Sequence, residues 1–373
     1  MPRTSLMLYT PHSHEPLTET PWSDEAARAA IRAIVADAED AFDDGWPAHP
    51  EDEPVPTKFR TVYLGGAGVI RALVELQDRG LVELRRDYRS YLEEPYAPEF
   101  GEPNEERSLL MGEVGVRLVL QRVAPSEANV VRLTELIEAN TRDPRCELMW
   151  GSPGTMLAAR AIGRDDLWAE GAAWLDEQFD PEAGCWTQEL YGHTNRGLGP
   201  AHGFAGCVLA LGDDARAAAT AARYAIEEDG LVNWTPGLDD ALVHRTGIIR
   251  VQWCHGAPGM VASLAHLARD DDEHTRLMIG GSELTWVAGP LAKGAGLCHG
   301  TAGNGYAFLA LLDRTGNEMW LDRARAFAMH AAEQVDRFRE QYGQGRHTLW
   351  TGDPGVALYI ADCLAGSGEM PLP

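Results

Sequence analysis

The sequence lacks the features that would place it in a membrane or outside the cell. It has no apolar run approaching the about 18 residues of a membrane span. Its first residues, MPRTSLMLYTPHSHEPL, hold no uninterrupted apolar segment of signal-peptide length. Six cysteines scattered through 373 residues do not form the dense framework of a small secreted domain. We therefore expect a cytoplasmic protein with no membrane partner.

Positive charge is also scarce. The chain has 32 Lys and Arg against 57 Asp and Glu, a formal net charge of -25. That balance argues against nucleic acid or an anionic lipid surface as a partner. No P-loop or dinucleotide fingerprint stands out among the glycines. With 45% hydrophobic residues and 11 tryptophans, the chain has enough apolar surface to bury a sizeable core.

Glycine supplies the organising pattern of the chain. A Gly-x-x-Gly pair recurs seven times at intervals of 39 to 53 residues, which suits two helices and their connections. Each pair opens an apolar run, such as GVIRALVEL or GYAFLALL. The pairs are Gly65/Gly68, Gly112/Gly115, Gly151/Gly154, Gly203/Gly206, Gly256/Gly259, Gly300/Gly303 and Gly352/Gly355.

The stretches between these pairs are amphipathic. One such stretch carries apolar residues at helical spacing at Trp320, Leu321, Ala324, Phe327, Ala328, Ala331, Val335 and Phe338. This pattern predicts an outer helix, a glycine turn and a buried inner helix in each repeat. We expect an all-α, single-domain chain over 1–373. Residues 1–62 form an N-terminal extension with the first outer helix, and 63–373 form the seven helical-hairpin repeats.

Helical hairpins can close into a ring, and their equivalent loops then converge on one face. Residues one to four places before each first glycine are expected to surround the central opening. Repeats three to six place reactive side chains there, whereas repeats one, two and seven place no thiol or imidazole. These side chains are Glu147, His202, Cys254, His255, Cys298 and His299.

Two cysteines and one histidine suit a zinc ion. Thiolate and imidazole are favoured zinc ligands, and three protein ligands leave the fourth tetrahedral position open, as in catalytic sites. The spacing does not match a zinc finger, because Cys254 and Cys298 are 44 residues apart. The alternative is that both Cys-His-Gly segments are small buried residues at helix starts.

The segments WCHGAPG, GLCHGTAGNGYAFL and AHGFAG, with glycine turns from Tyr63 onward, resemble the lanthionine synthetase C family. That family contains zinc-dependent cyclases of lanthipeptide biosynthesis and their glutathione-binding relatives. The resemblance implies an α/α toroid of seven inner and seven outer helices. It also implies one zinc ion held by Cys254, Cys298 and His299, with His202 as the acid/base.

The implied reaction adds a thiol to dehydroalanine or dehydrobutyrine. Arg250, four residues before Cys254 as in bacterial cyclases, would stabilise the developing enolate. The expected substrate is a dehydrated precursor peptide, which closes a thioether ring. The alternative substrate is glutathione, added to dehydroamino acids in proteins. Ring closure would require separate dehydration enzymes, because the chain shows no kinase or dehydratase segment.

Two positions depart from the pattern of the bacterial cyclases. Bacterial cyclases usually carry Asp where this chain has Glu147, and Tyr where it has His255. The form KGAGLCHG, beginning at Lys293, resembles the eukaryotic-type LanC-like branch. We name Trp253, His255 and Lys293 as candidates for substrate contact.

Each of these candidates also has a structural interpretation. Glu147 would cap a helix, and Arg250 would form an ion pair. Trp253 and His255 would pack in the interior, and Lys293 would be a solvated charge. Two further functional hypotheses are a glycosidase, with Glu113 and Asp353 as additional carboxylates near the turns, and a zinc-bearing binding module without catalysis.

Overall fold

The computed structural model describes residues 7–238 and 247–372, and fourteen α-helices lie within these ranges. Seven inner helices begin at the glycine pairs. They are Gly66–Asp78, Glu113–Val123, Ser152–Ala161, Phe204–Leu211, Ala257–Leu264, Thr301–Thr315 and Asp353–Ala365. Seven outer helices alternate with them. They are Asp24–Asp40, Arg89–Glu93, Glu127–Glu138, Asp165–Gln178, Ala217–Tyr224, Asp272–Ala288 and Met319–Tyr342.

The inner helices form a closed ring. Each packs against the next along the chain, and Asp353–Ala365 packs against Gly66–Asp78 to complete the circle. The outer helix Asp24–Asp40 covers the last inner helix, so the two ends of the repeat array meet. This arrangement confirms the predicted α/α toroid. The assignment of the whole chain to one domain stays a prediction.

The second glycine of each pair is required because there is no room for a side chain at that position. A Cβ atom at Gly303 would overlap the carbonyl oxygen of Leu297, and one at Gly259 would overlap that of Trp253. The same overlap, with the carbonyl six residues upstream, occurs in all seven repeats. Only glycine therefore lets each loop fold back onto the first turn of its inner helix.

Backbone hydrogen bonds join neighbouring loops at one register. The residue two places before the first glycine makes these bonds: Cys254 N donates to Cys298 O at 3.0 Å, and Cys298 N donates to Trp350 O at 2.8 Å. Tyr63 N donates to Leu110 O at 2.9 Å in the same way. Equivalent loop positions therefore lie next to one another around the central opening.

The chain also forms short hairpins and 3-10 turns that the sequence did not predict. Three antiparallel hairpins pair β1 (Phe179–Asp180) with β2 (Cys185–Trp186), β3 (Gln188–Leu190) with β4 (His193–Asn195), and β5 (Ile226–Glu228) with β6 (Leu231–Asn233). Two 3-10 turns cover Pro11–Ser13 and Glu105–Arg107. The first two hairpins lie between the outer helix Asp165–Gln178 and the inner helix Phe204–Leu211 of repeat four, before His202.

Burial follows the amphipathic patterns. On the outer helix Met319–Tyr342, Trp320, Phe327 and Val335 are buried. The acidic, proline-rich stretch 43–57 is a loop. Among the described helices, none is both long and apolar enough to span a bilayer.

Candidate metal centre and acid/base pair

Two thiols and one imidazole meet at the loop face of the ring. The Sγ atoms of Cys254 and Cys298 and a ring nitrogen of His299 all lie within 4.8 Å of one another. Cys254 and Cys298 are buried, and His299 is half-buried. The loops of repeats five and six deliver these side chains, and the Cys254 N to Cys298 O bond holds the two loops together.

These three side chains fit a zinc ion. Zinc bonds of about 2.3 Å to sulfur and 2.1 Å to nitrogen place tetrahedral ligand atoms about 3.5 to 4 Å apart. That spacing is compatible with the 4.8 Å limit that encloses the three atoms. Two thiolates would balance the charge of the ion, and three protein ligands would leave one position open.

The thiols are electrostatically coupled to each other. A hydrogen bond from Cys298 holds the pKa of Cys254 well below its usual range, and nearby His255 and His299 act in the same direction. The same bond raises the pKa of Cys298, because a thiolate at Cys254 opposes a second negative charge. The two shifts favour negative charge on Cys254 over Cys298, and thiolate is the form that ligates zinc.

A second layer of contacts supports Cys254. Gln252 is buried, and its Nε2 atom donates to Cys254 Sγ at 2.9 Å. Its Oε1 atom accepts from Lys293 Nζ, also at 2.9 Å. Burial lowers the pKa of Lys293, and the thiolates nearby oppose that effect. Lys293, a candidate for substrate contact, therefore also orients the amide that holds Cys254.

A group of aromatic side chains packs beside Cys298. Tyr63 lies beside Cys298, and burial, together with the charge of this cysteine, raises the pKa of Tyr63 well above its usual value. Its ring stacks on Trp350, with centroids 6.1 Å apart. Trp350 in turn packs on Trp253 at 4.9 Å. Trp253 is buried, so in this structure it packs beside the centre.

His202 and Glu147 form a pair across repeats three and four. Nδ1 of His202 lies 2.8 Å from Oε2 of Glu147, which is fully buried, whereas the imidazole is 28% exposed. Burial alone would lower the pKa of His202. The hydrogen bond and charge of Glu147, together with the charge of Cys254, outweigh it and raise that pKa. With Nδ1 engaged, Nε2 is the nitrogen left to exchange a proton with a ligand.

Glu147 also caps the loop that carries it. Its carboxylate accepts hydrogen bonds from the backbone N–H groups of Met149, Trp150 and Gly151, just before the helix Ser152–Ala161. The capping role expected of Glu147 is therefore observed. The caps fix the carboxylate, and the fixed carboxylate orients His202.

Arg250 and His255 flank the centre. Arg250 is exposed and, with Gln252 and Lys293, lines a cavity of about 550 Å³. His255 is half-buried and lies close enough to Cys254 to affect its pKa. The potential metal-ligand group found among the described residues consists of Cys254, Cys298 and His299, without His255.

The carboxylates of the glycosidase hypothesis are engaged elsewhere. Glu113 accepts from Arg132 at 2.8 Å and from Arg117 at 2.9 Å. Asp353 is buried and accepts from the backbone of Arg346. Neither lies in the group with the two thiols, so the carboxylates give no support to glycoside hydrolysis.

Sequence reasoning missed three residues of this site. Gln252 and Tyr63 contact the thiols, and Tyr191, on the turn between β3 and β4, lies beside His202 with ring centroids 6.2 Å apart. Tyr63 occupies the same register as the two cysteines, and that position was the available signal. Nothing in the local sequence marked Gln252 or Tyr191.

Comparison with known proteins gives a family match and two partial relatives. The chain matches the family model described as lanthionine synthetase C-like protein over residues 58–370. It is 33% identical over 146 residues to "Glutathione S-transferase LANCL1" of Danio rerio, covering 35% of this chain. It is 41% identical over 117 residues to "LanC-like protein GCL1" of Arabidopsis thaliana, covering 30% of this chain. These matches span 32% and 27% of the two relatives, about a third of their length.

The fold also has a solved counterpart. The structure of a protein named "Nisin cyclase" superposes with a TM-score of 0.62, covering 91% of this chain and 94% of that one. The two sequences are 17% identical. This likeness establishes the shared α/α toroid.

Proposed function

The chain belongs to the lanthionine synthetase C-like family, and on that premise we propose that it is a zinc-dependent enzyme that adds a thiol to dehydroalanine or dehydrobutyrine residues. The observation that carries the proposal is the meeting of Cys254, Cys298 and His299 next to an imidazole held by a buried carboxylate. The three ligands would hold one zinc ion. When bound, zinc would lower the pKa of a substrate thiol and make it nucleophilic at neutral pH.

The remaining steps belong to the side chains of the protein. In the reaction the thiol loses its proton, sulfur bonds to the β-carbon, and the carbon–carbon double bond becomes an enolate. The enolate then takes a proton at the α-carbon, so S and H add across the double bond. His202 accepts or delivers these protons through Nε2, while Glu147 keeps Nδ1 engaged.

Two cations line a cavity together with Gln252. Arg250 and Lys293 line the cavity beside Gln252, and a fixed cation there would stabilise the enolate oxygen or bind a substrate carboxylate. We assign the first role to Arg250 and the second to Lys293. Trp253 is assigned to packing against Trp350, because it is buried, and His255 supports the electrostatics of Cys254.

The proposed substrate is a dehydrated precursor peptide whose own cysteine closes a thioether ring. Separate enzymes would first dehydrate its Ser or Thr residues. A second candidate is addition of glutathione to dehydroamino acids in proteins. It is favoured by KGAGLCHG at Lys293 and by the similarity to the Danio rerio protein named as a glutathione S-transferase.

Mass spectrometry separates these outcomes. A dehydrated peptide with an internal cysteine is incubated with zinc-loaded protein and glutathione. Loss of the free thiol without mass change indicates cyclisation, and a glutathione adduct indicates the second candidate. Cys298→Ala should lower zinc from one per chain and abolish either product. His202→Ala should retain zinc and lower turnover about 10²- to 10⁴-fold.

Cys185→Ala is the matched control. This buried thiol lies outside the loop register, and burial raises its pKa to about 11, so removing it should change neither zinc content nor product. Zinc-loaded protein that forms no product with either thiol would refute the enzymatic proposal and favour a binding module.

A further inference from the structure

We propose that Tyr191, at the tip of the β3–β4 hairpin, is a substrate-contacting residue that forms the wall of the site beside His202. This inference rests on the proposed function, because it places an acceptor residue of the substrate next to the imidazole. It extends that function by naming a side chain that helps decide which peptide segment is accepted.

The base of the hairpin is fixed to the loop that carries Glu147. Gln188 is fully buried, and its Nε2 atom donates to the carbonyl of Cys146, the residue before Glu147, at 3.3 Å. Its Oε1 atom accepts from Gly197 N at 2.7 Å. Leu190 is also buried, whereas β4 is exposed throughout. The hairpin is therefore a rigid arm, and its tip has a defined position.

The tip holds an aromatic residue in a conformation that disfavours it. Leu190 pairs with His193, so Tyr191 and Gly192 form a two-residue turn, with φ of 53° and 75°. Both angles lie in the left-handed region of a type I′ turn, where Asn-Gly is preferred. A tyrosine there is held in a strained backbone conformation. Strain of this kind is typically retained where a side chain is needed for binding.

The Tyr191 side chain is held by a hydrogen bond at its hydroxyl, and much of the residue remains exposed. Its hydroxyl accepts from the indole Nε1 of Trp150 at 2.9 Å, and its ring meets that of His202 edge-on. The side chain nevertheless stays 55% exposed. A group within proton-transfer distance of His202 would therefore lie against this exposed ring. A fixed, exposed aromatic face suits an extended peptide segment.

The hairpin offers a variant that separates binding from folding. Tyr191→Asn removes the ring but supplies the residue that the turn prefers, so the hairpin should be no less stable. Tyr191→Phe keeps the ring and loses only the bond to Trp150. His193→Ala, on the exposed strand of the same hairpin, is the control.

Binding is measured by calorimetry with zinc-loaded protein and a dehydroalanine peptide in which serine replaces cysteine, so no addition can occur. We expect Tyr191→Asn to raise Kd about tenfold with an unchanged or higher Tm. Tyr191→Phe should raise Kd less than about threefold, and His193→Ala should leave it unchanged. With the cysteine peptide, the Tyr191→Asn effect should appear in KM and leave kcat within about twofold.

Equal Kd for wild type and Tyr191→Asn would overturn the inference, as would weaker binding that tracks a lower Tm or a wild-type protein that does not bind the peptide. These outcomes are independent of turnover. If the variants change Kd as expected but the protein adds no thiol, the proposed function is refuted. The inference that Tyr191 contacts the peptide would still hold.

Discussion

Nδ1 of His202 and Oε2 of Glu147 are 2.8 Å apart, although the two residues belong to different repeats of the ring. The carboxylate is fully buried and held by three backbone N–H groups, so it cannot move away without losing its caps. The proposed acid/base is therefore oriented by a group that is itself part of the scaffold.

Replacing Glu147 with Gln should lower the pKa of His202, because the hydrogen bond and negative charge of Glu147 raise it in the native protein. With the amide oxygen in the place of Oε1, Trp150 and Gly151 keep their hydrogen bonds and only the bond from Met149 N is lost, so the fold should persist. Loss of a charged hydrogen bond should reduce kcat/KM about 10- to 100-fold. NMR titration of the His202 ring measures the pKa directly.

Glu177→Gln is the control for this change, because Glu177 is an exposed carboxylate on the neighbouring outer helix Asp165–Gln178. It should change neither the titration nor the rate. A His202 pKa that is unaltered in Glu147→Gln would show that the carboxylate only caps its loop.

Gln252→Leu should weaken zinc binding about 10- to 100-fold, because Gln252 donates to Cys254 Sγ and anchors Lys293. Competition with a chromophoric chelator gives the affinity. Gln341→Leu, at an exposed position of the helix Met319–Tyr342, should bind zinc like the wild type. Equal affinity for Gln252→Leu and wild type would mean that this contact does not support the metal centre.

Stability should depend on pH through Glu113. Burial would raise the pKa of this carboxyl, but its bonds to Arg132 and Arg117 outweigh burial and lower it. A lowered folded-state pKa means that the stabilisation is present above the unfolded pKa of about 4.3 and is lost as pH falls through the folded value. Glu113→Gln should therefore cost about 1 to 3 kcal/mol at pH 7.

The cost of Glu113→Gln should shrink below about pH 4, where the wild-type carboxyl also becomes protonated. Urea unfolding at several pH values measures the difference. Glu127→Gln, exposed in the first turn of the next helix, is the matched control and should change stability by less than about 0.5 kcal/mol. A loss for Glu113→Gln that is equal at pH 3 and pH 7 would contradict the ion-pair explanation.

The ring could be predicted because every repeat carries the same short sequence signal, the Gly-x-x-Gly pair. Each second glycine sits where a Cβ atom would overlap the upstream carbonyl, so the pattern cannot drift without distorting the loop. The hairpins were missed because β3 and β4 have three residues each, too few to show a periodicity. The Tyr191-Gly192 step also lacks the Asn-Gly or Asp-Gly sequence that usually marks such a turn.

Site residues could be predicted from the sequence only where their position relative to the glycine pair recurs in adjacent repeats. Cys254 and Cys298 stand at the same place in adjacent repeats, and ring closure brings them together. Gln252 shares the Cys254 loop, but only side-chain direction shows that its amide meets the thiol. Tyr191 reaches His202 through a hairpin that the sequence did not predict.

The closure of the ring sets an order of events during synthesis. The helix Asp24–Asp40 leaves the ribosome early, yet its apolar face, including Ile31, Ile34 and Val35, packs on Asp353–Ala365, more than 300 residues later. Contacts of such sequence separation form late and leave apolar surface open to aggregation meanwhile. The apolar face of Asp24–Asp40 therefore stays without its partner helix until Asp353–Ala365 has been synthesised.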